Sequence, residues 1–118
     1  MSVLTWVGVA LLGGAGAVAR FVVDGAVAER ATGDLPVGTL VVNLSGALLL
    51  GVVTGLALSG DALLLVGTAT LGSYTTFSTW MLETQRLVEE GVGRVAALNV
   101  VLSLVAGVAA VALGRALG

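Results

Sequence analysis

Long apolar stretches alternate with short polar ones along the whole chain, and the alternation predicts four helices. The first stretch runs from Val3 to about Val27, broken only by small residues and Arg20. At about 1.5 Å per residue it is long enough to cross a bilayer with tilt. Gly13, Gly14, Gly16 and Ala17 would let a neighbouring backbone approach it closely. The segment from Asp24 to Asp34 gathers charge and reads as an interfacial loop. Asp34-Leu35-Pro36 reads as a helix start, with Asp34 as the cap and Pro36 in the first turn. A second helix then runs to about Leu58, carrying Gly51 and Gly55 in GxxxG spacing and a lone amide, Asn43. Ser59-Gly60-Asp61 reverses the chain, Asp61 being placed to cap the third helix.

The third stretch, about 62–90, meets no glycine or proline stop in its second half until Gly91, and it exceeds the roughly 20 residues that span the hydrocarbon. It must therefore be interrupted, and Gly67 and Gly72 together with the hydroxyl cluster that follows them are the expected sites. Between Leu71 and Met81 lie Ser73, Tyr74, Thr75, Thr76, Ser78 and Thr79, a density of hydroxyls that lipid does not satisfy. Such a segment faces protein, a water-filled path or an ion, and backbone freed at membrane depth survives only in those settings. Gly91 and Gly93 make the last turn, and a fourth helix is expected over 94–117, with Asn99 and Ser103 as its uncharged polar side chains.

Composition agrees with a lipid-soluble chain. Hydrophobic residues are 58% and charged residues 10% of 118 residues, and the mean hydropathy is +1.12, against the roughly 25% charge usual in soluble domains. One domain is expected. The first apolar run has no basic leader and no small-residue cleavage site, so it is read as a retained helix. Cysteine and histidine are absent, which removes thiol chemistry, the usual zinc and haem ligands and imidazole-based triads; the chain does not read as an enzyme. A net charge of −2 without a basic face gives no footprint for nucleic acid. Arg20, Arg30, Arg86 and Arg94 lie toward one side and Arg115 toward the other, which favours both termini outside, by a margin small enough to allow insertion in both orientations.

Several residues carry two readings. Phe77 and Trp80, three apart, suit aromatic packing between helices, or an electropositive ring edge offered to an anion. Asn43 suits interhelical hydrogen bonding, or an amide donating two hydrogen bonds to an anion. Arg20 and Glu83 suit snorkelling at the interface, or the lining of a charged vestibule. The Gly51/Gly55 pair is assigned to packing.

Three runs carry a family resemblance. Gly13-Gly-Ala-Gly-Ala-Val-Ala-Arg20, Gly38-Thr-Leu-Val-Val-Asn-Leu-Ser-Gly46 and Gly72-Ser-Tyr-Thr-Thr-Phe-Ser-Thr-Trp-Met-Leu-Glu83 resemble, in order, the signatures of the fluoride-specific ion channels called Fluc, or CrcB-type. The resemblance implies an all-α membrane protein with four transmembrane helices, the third broken mid-membrane. It also implies an inverted, dual-topology dimer in the plasma membrane, with two pores passing fluoride down its gradient to relieve toxicity. It places a structural sodium ion at the dimer centre, held by backbone carbonyls at the break, here Gly72 and Thr75. It implies a fluoride pathway through Asn43, Phe77, Ser78, Thr79 and Trp80, with Thr39 near the pore. Ser103 joins them on the fourth helix, which has no motif to set its register. Glu83 and Arg20 fall at the vestibule. Trp80 departs from the pattern, which has a second phenylalanine there. The departure bears on the partner: a homodimer is expected first, and pairing with a non-identical paralogue is the alternative.

The physical logic is consistent with that resemblance. A small, strongly hydrated anion needs many replacement donors, and a track of hydroxyl, amide and ring-edge groups supplies them weakly enough for release. The main rival is a small multidrug-type proton-coupled exporter, similar in size and helix count. That family's membrane-embedded glutamate in the first helix is missing here, where the earliest glutamate is Glu29. A non-transporting scaffold subunit would leave the hydroxyl cluster unexplained.

Overall fold

A computed structural model describes residues 1–118. The first helix, α1 (Val3–Arg30), starts on Ser2, whose side chain accepts the Thr5 N–H at 3.1 Å. It runs past Val27, so Asp24 and Glu29 belong to the helix and not to the expected loop. Helix α2 (Val37–Gly55) begins after Pro36 with no side-chain cap. Asp34 therefore does not cap it, and the helix stops short of Leu58, where Ala57 turns the chain at φ 56°. Asp61 caps nothing either. Its carboxylate accepts a hydrogen bond from the Thr5 hydroxyl at 3.1 Å, tying the start of α1 to this turn.

The third crossing is a composite. A short α3 (Gly60–Ala62), a π-helical segment (Leu63–Leu71) and α4 (Gly72–Tyr74) form one continuous rod. The wide turn is reinforced by Thr70, whose hydroxyl donates to the Leu65 carbonyl five residues back at 2.7 Å, and runs of this hydrogen-bond pattern are rare and concentrate at functional sites. Helical backbone passes through both Gly67 and Gly72. The interruption falls later, at residues 75–77, where Thr75 is extended (φ −81°, ψ 160°). Of the expected sites the two glycines are helical and the hydroxyl cluster holds the break, where a second helix satisfies the opened backbone. The path resumes as α5 (Ser78–Glu89) and ends in α6 (Gly93–Leu117).

Neighbour pairs give the directions. Gly8 faces Leu65 and Gly16 faces Thr70, so α1 runs parallel to the rod. Gly51 faces Val111 and Gly55 faces Arg115, so α2 and α6 are parallel. Asn43 meets Thr76 and Thr39 meets Glu83, so α2 is antiparallel to the third crossing. Each successive crossing thus reverses the last.

Glycine sets two of these contacts. A Cβ at Gly16 would strike the Thr70 carbonyl, and one at Gly51 would strike the Val111 carbonyl. Gly14, by contrast, faces open space and does not join the expected packing stripe.

Only 15 of 118 residues are buried. Large apolar side chains such as Leu4, Phe21, Val108 and Leu117 point outward, an arrangement that suits lipid as the solvent. Helices α1, α2 and α6 are each long and apolar enough to cross a membrane.

Candidate functional site

Breaking a helix at membrane depth strands backbone polar groups, and each stranded group costs on the order of a few kcal/mol. Here the answer comes from α2. The Asn43 side chain donates its Nδ2–H to the Thr76 carbonyl at 2.8 Å and accepts the Thr76 N–H on Oδ1 at 2.8 Å. Because one partner is a carbonyl and the other an N–H, the amide orientation is determined. Asn43 acts as a two-pronged clamp on the open backbone, so one amide N–H remains for another partner, not the two expected.

Around that clamp the hydroxyls pair among themselves. The Thr76 hydroxyl donates to Thr79 Oγ1 and accepts the Thr79 N–H, both at 3.2 Å, which caps the start of α5. Ser78 Oγ lies 3.4 Å from the same hydroxyl. Tyr74 Oη and Ser45 Oγ share a hydrogen bond of 2.9 Å. The Thr75 hydroxyl donates to the Leu71 carbonyl at 3.1 Å, while its methyl occupies the space left by Gly46.

The opened backbone leaves carbonyls free, those of Gly72 and Thr75 among them. Neither Gly72 nor Thr75 accepts a hydrogen bond through its backbone oxygen, since Thr76 N–H is taken by Asn43 and Thr79 N–H by the Thr76 hydroxyl. Gly72 therefore sits one turn before the break and not in it, yet its oxygen is left without a partner by it.

Two cavities meet at the break. A groove of about 570 Å³ between α2 and the third crossing is lined by Asn43, Gly72, Thr75, Thr76, Phe77 and Trp80 among others. Phe77, at the start of α5, is 71% exposed beside it, and its ring meets Trp80 edge to face, centroids 5.6 Å apart at 81°. A second cavity of about 380 Å³ is lined by Arg20, Asp24, Thr39, Thr76 and Thr79, with Thr76 common to both. The Thr39 hydroxyl at its edge donates to the Glu83 carboxylate.

The expected residues are thus divided between two chambers. Asn43, Phe77, Trp80, Gly72 and Thr75 share the first; Arg20, Thr39 and Thr79 share the second, with Glu83 and Ser78 one hydrogen bond away. Ser103 stands apart, in a separate groove along α6 with Leu104, Val108 and Arg115. Trp80 is tied to the last helix. Its indole N–H is not turned to the groove but donates to the Asn99 carbonyl on α6 at 3.3 Å. Sequence reasoning missed Thr76 and Asp24. Thr76 was visible as one more hydroxyl in the cluster, and Asp24 lies one helical turn after Arg20, on the same face of α1.

Alternating helical crossings, an apolar exterior and a polar break braced from a neighbouring helix define a multi-pass helical membrane protein with a site inside its bundle. The chain belongs to the CrcB-like family: the family model described as CrcB-like protein, Camphor Resistance (CrcB), matches residues 7–115. It is similar to the fluoride-specific ion channel FluC 2 of Mycolicibacterium paratuberculosis, at 65% identity over 98% of this chain and 95% of that protein. The FluC 2 of Mycobacterium tuberculosis is 55% identical over 98% and 91%. The fluoride-specific ion channel FluC 1 of Symbiobacterium thermophilum is 40% identical over 98% of each.

Proposed function

We propose that this chain forms a fluoride-selective channel that lets fluoride leave the cell passively, through pores built between two inverted copies in the plasma membrane. The family and the names of its relatives support fluoride as the solute. The observation that carries the reading is the break at 75–77: a clamped, hydroxyl-rich opening lies between two cavities that share Thr76, and an exposed phenylalanine stands at its edge. Hydroxyls, the remaining Asn43 N–H and aromatic ring edges are weak donors that replace hydration without a full charge to trap the ion. Phe77 is too exposed for a finished site, which supports a second copy covering it.

The free Gly72 and Thr75 carbonyls fit a sodium ion, since unwound backbone oxygens are the ligands that transport folds offer to it. Bound between two inverted breaks, the cation would add positive charge near the anion path and hold the copies together. Thr39, Asn43, Ser78, Thr79 and Trp80 line or support the pathway in this reading, Arg20 and Glu83 flank its entrance, and Ser103 contributes from α6 of the facing copy.

Fluoride efflux from liposomes containing the purified protein tests the reading. The parent should release fluoride and retain chloride, and Phe77→Ile should leave a folded dimer with little flux, because an aliphatic group fills the space without an electropositive rim. Unchanged flux in Phe77→Ile removes that ring from the path. A second reading, pairing with a non-identical chain, is favoured by Trp80 replacing the phenylalanine of the family pattern and by relatives bearing both FluC 1 and FluC 2 names. In that case the chain alone is silent, as is its Trp80→Phe variant, and co-expression restores flux.

A further inference from the structure

Trp80 is the residue that the proposed pathway accommodates least well, because an indole in a donor track adds a strong N–H. Its surroundings resolve the difficulty. The indole N–H donates to the Asn99 carbonyl at 3.3 Å. Asn99 is 1% exposed, and its Nδ2–H donates to the Thr84 hydroxyl at 2.9 Å. That hydroxyl in turn donates to the Trp80 carbonyl at 2.8 Å. A closed bracket therefore runs from Trp80 through α6 and back to Trp80, with Thr84 one turn further along α5.

We infer that Asn99 and Thr84 are positioning residues: they hold the Trp80 N–H away from the groove, so that the indole presents only its hydrocarbon ring to Phe77 and to the ion. The inference rests on the channel reading for its consequence, though not for its geometry. The Thr84 hydroxyl both accepts and donates in this bracket, and it is the one hydrogen-bond partner of the buried Asn99 side chain. An orphaned amide there would be costly, so removing Thr84 Oγ1 should shift α5 against α6 and release the indole. Released, the N–H becomes a donor in the groove and the ring leaves its edge-to-face contact with Phe77.

Thr84→Val keeps the shape and deletes both hydroxyl bonds, whereas Thr84→Ser keeps them. In a Trp6→Phe background Trp80 is the sole indole, and ultraviolet resonance Raman reads its N–H hydrogen bonding without any transport. The parent should show a bonded N–H, preserved in Thr84→Ser and weakened in Thr84→Val; a free N–H in the parent overturns the inference whatever the flux. Liposome flux then separates positioning from general damage. Thr84→Val should slow fluoride efflux roughly tenfold when Trp80 is present and less than about twofold in a Trp80→Phe background, as coupled neighbours do. Equal losses in both backgrounds mean that Thr84 merely supports the fold and also overturn the inference. A parent that passes no fluoride either alone or with a co-expressed paralogue defeats the channel reading and leaves the Raman outcome to decide the bracket.

Discussion

At the scale of single residues, Asn43 has a structural role beside the pathway role proposed for it. Its carbonyl and one N–H hold Thr76, and one N–H is left. Asn43→Asp keeps an acceptor for the Thr76 N–H but sets a carboxylate oxygen against the Thr76 carbonyl. It should cost about 1–3 kcal/mol in stability, the range for an unsatisfied buried polar group. Thermal unfolding of the detergent-solubilised protein measures this; an unchanged midpoint would mean that the clamp does not hold the break. Trp80→Phe should retain or raise fluoride efflux, because the lost N–H points at Asn99 and not at the groove.

At the scale of elements, close and open helix faces behave differently. Helices α2 and α6 touch backbone to backbone, since Gly51 faces the Val111 carbonyl and Gly114 faces the Leu48 carbonyl. Gly51→Leu should force them apart and lower the yield of monodisperse protein, losing more than about 2 kcal/mol by overpacking. Gly14→Ala meets nothing within 4 Å and should be neutral or slightly stabilising through helix propensity. Size-exclusion profiles of the two variants side by side test the pair, and equal profiles would contradict the packing. In the broken crossing, Thr75→Ala keeps the free carbonyl while losing a hydroxyl bond to Leu71 and a methyl packed at Gly46. A stability loss of about 1 kcal/mol with flux preserved is expected; abolished flux would assign the hydroxyl itself to the path.

Over the whole molecule, the exposed Phe77 lines one groove with Gly72 and Thr75, whose carbonyls accept no hydrogen bond, which motivates the proposal of two inverted copies with sodium between them. The sequence contains no cysteine, so a single Thr32→Cys in the first connection reports orientation cleanly. In cells, an impermeant thiol reagent should label about half the protein from outside if the arginine bias is weak enough for dual insertion. Complete labelling or complete protection indicates one orientation, the outcome expected of a chain that needs an oppositely inserted partner.

Much of this architecture is legible from residue order alone, because hydrophobic length and turn chemistry are local. The apolar runs located the helices, and the overlong third stretch with its hydroxyls required a break somewhere within it. Only the residue at which it opens was not legible. Of the local candidates, Gly67 and Gly72 are helical, and the backbone opens inside the hydroxyl cluster, at Thr75 to Phe77, because Asn43, on another helix, satisfies Thr76 there. The same holds for the direction of the Trp80 N–H, decided by a carbonyl on α6, and for Asp24, which a longer α1 brings into the cavity with Arg20 and Thr39. A sequence specifies which groups need partners inside a membrane. Which partner each one finds depends on how the helices pack, since hydrogen bonds across the bundle join residues distant in the chain.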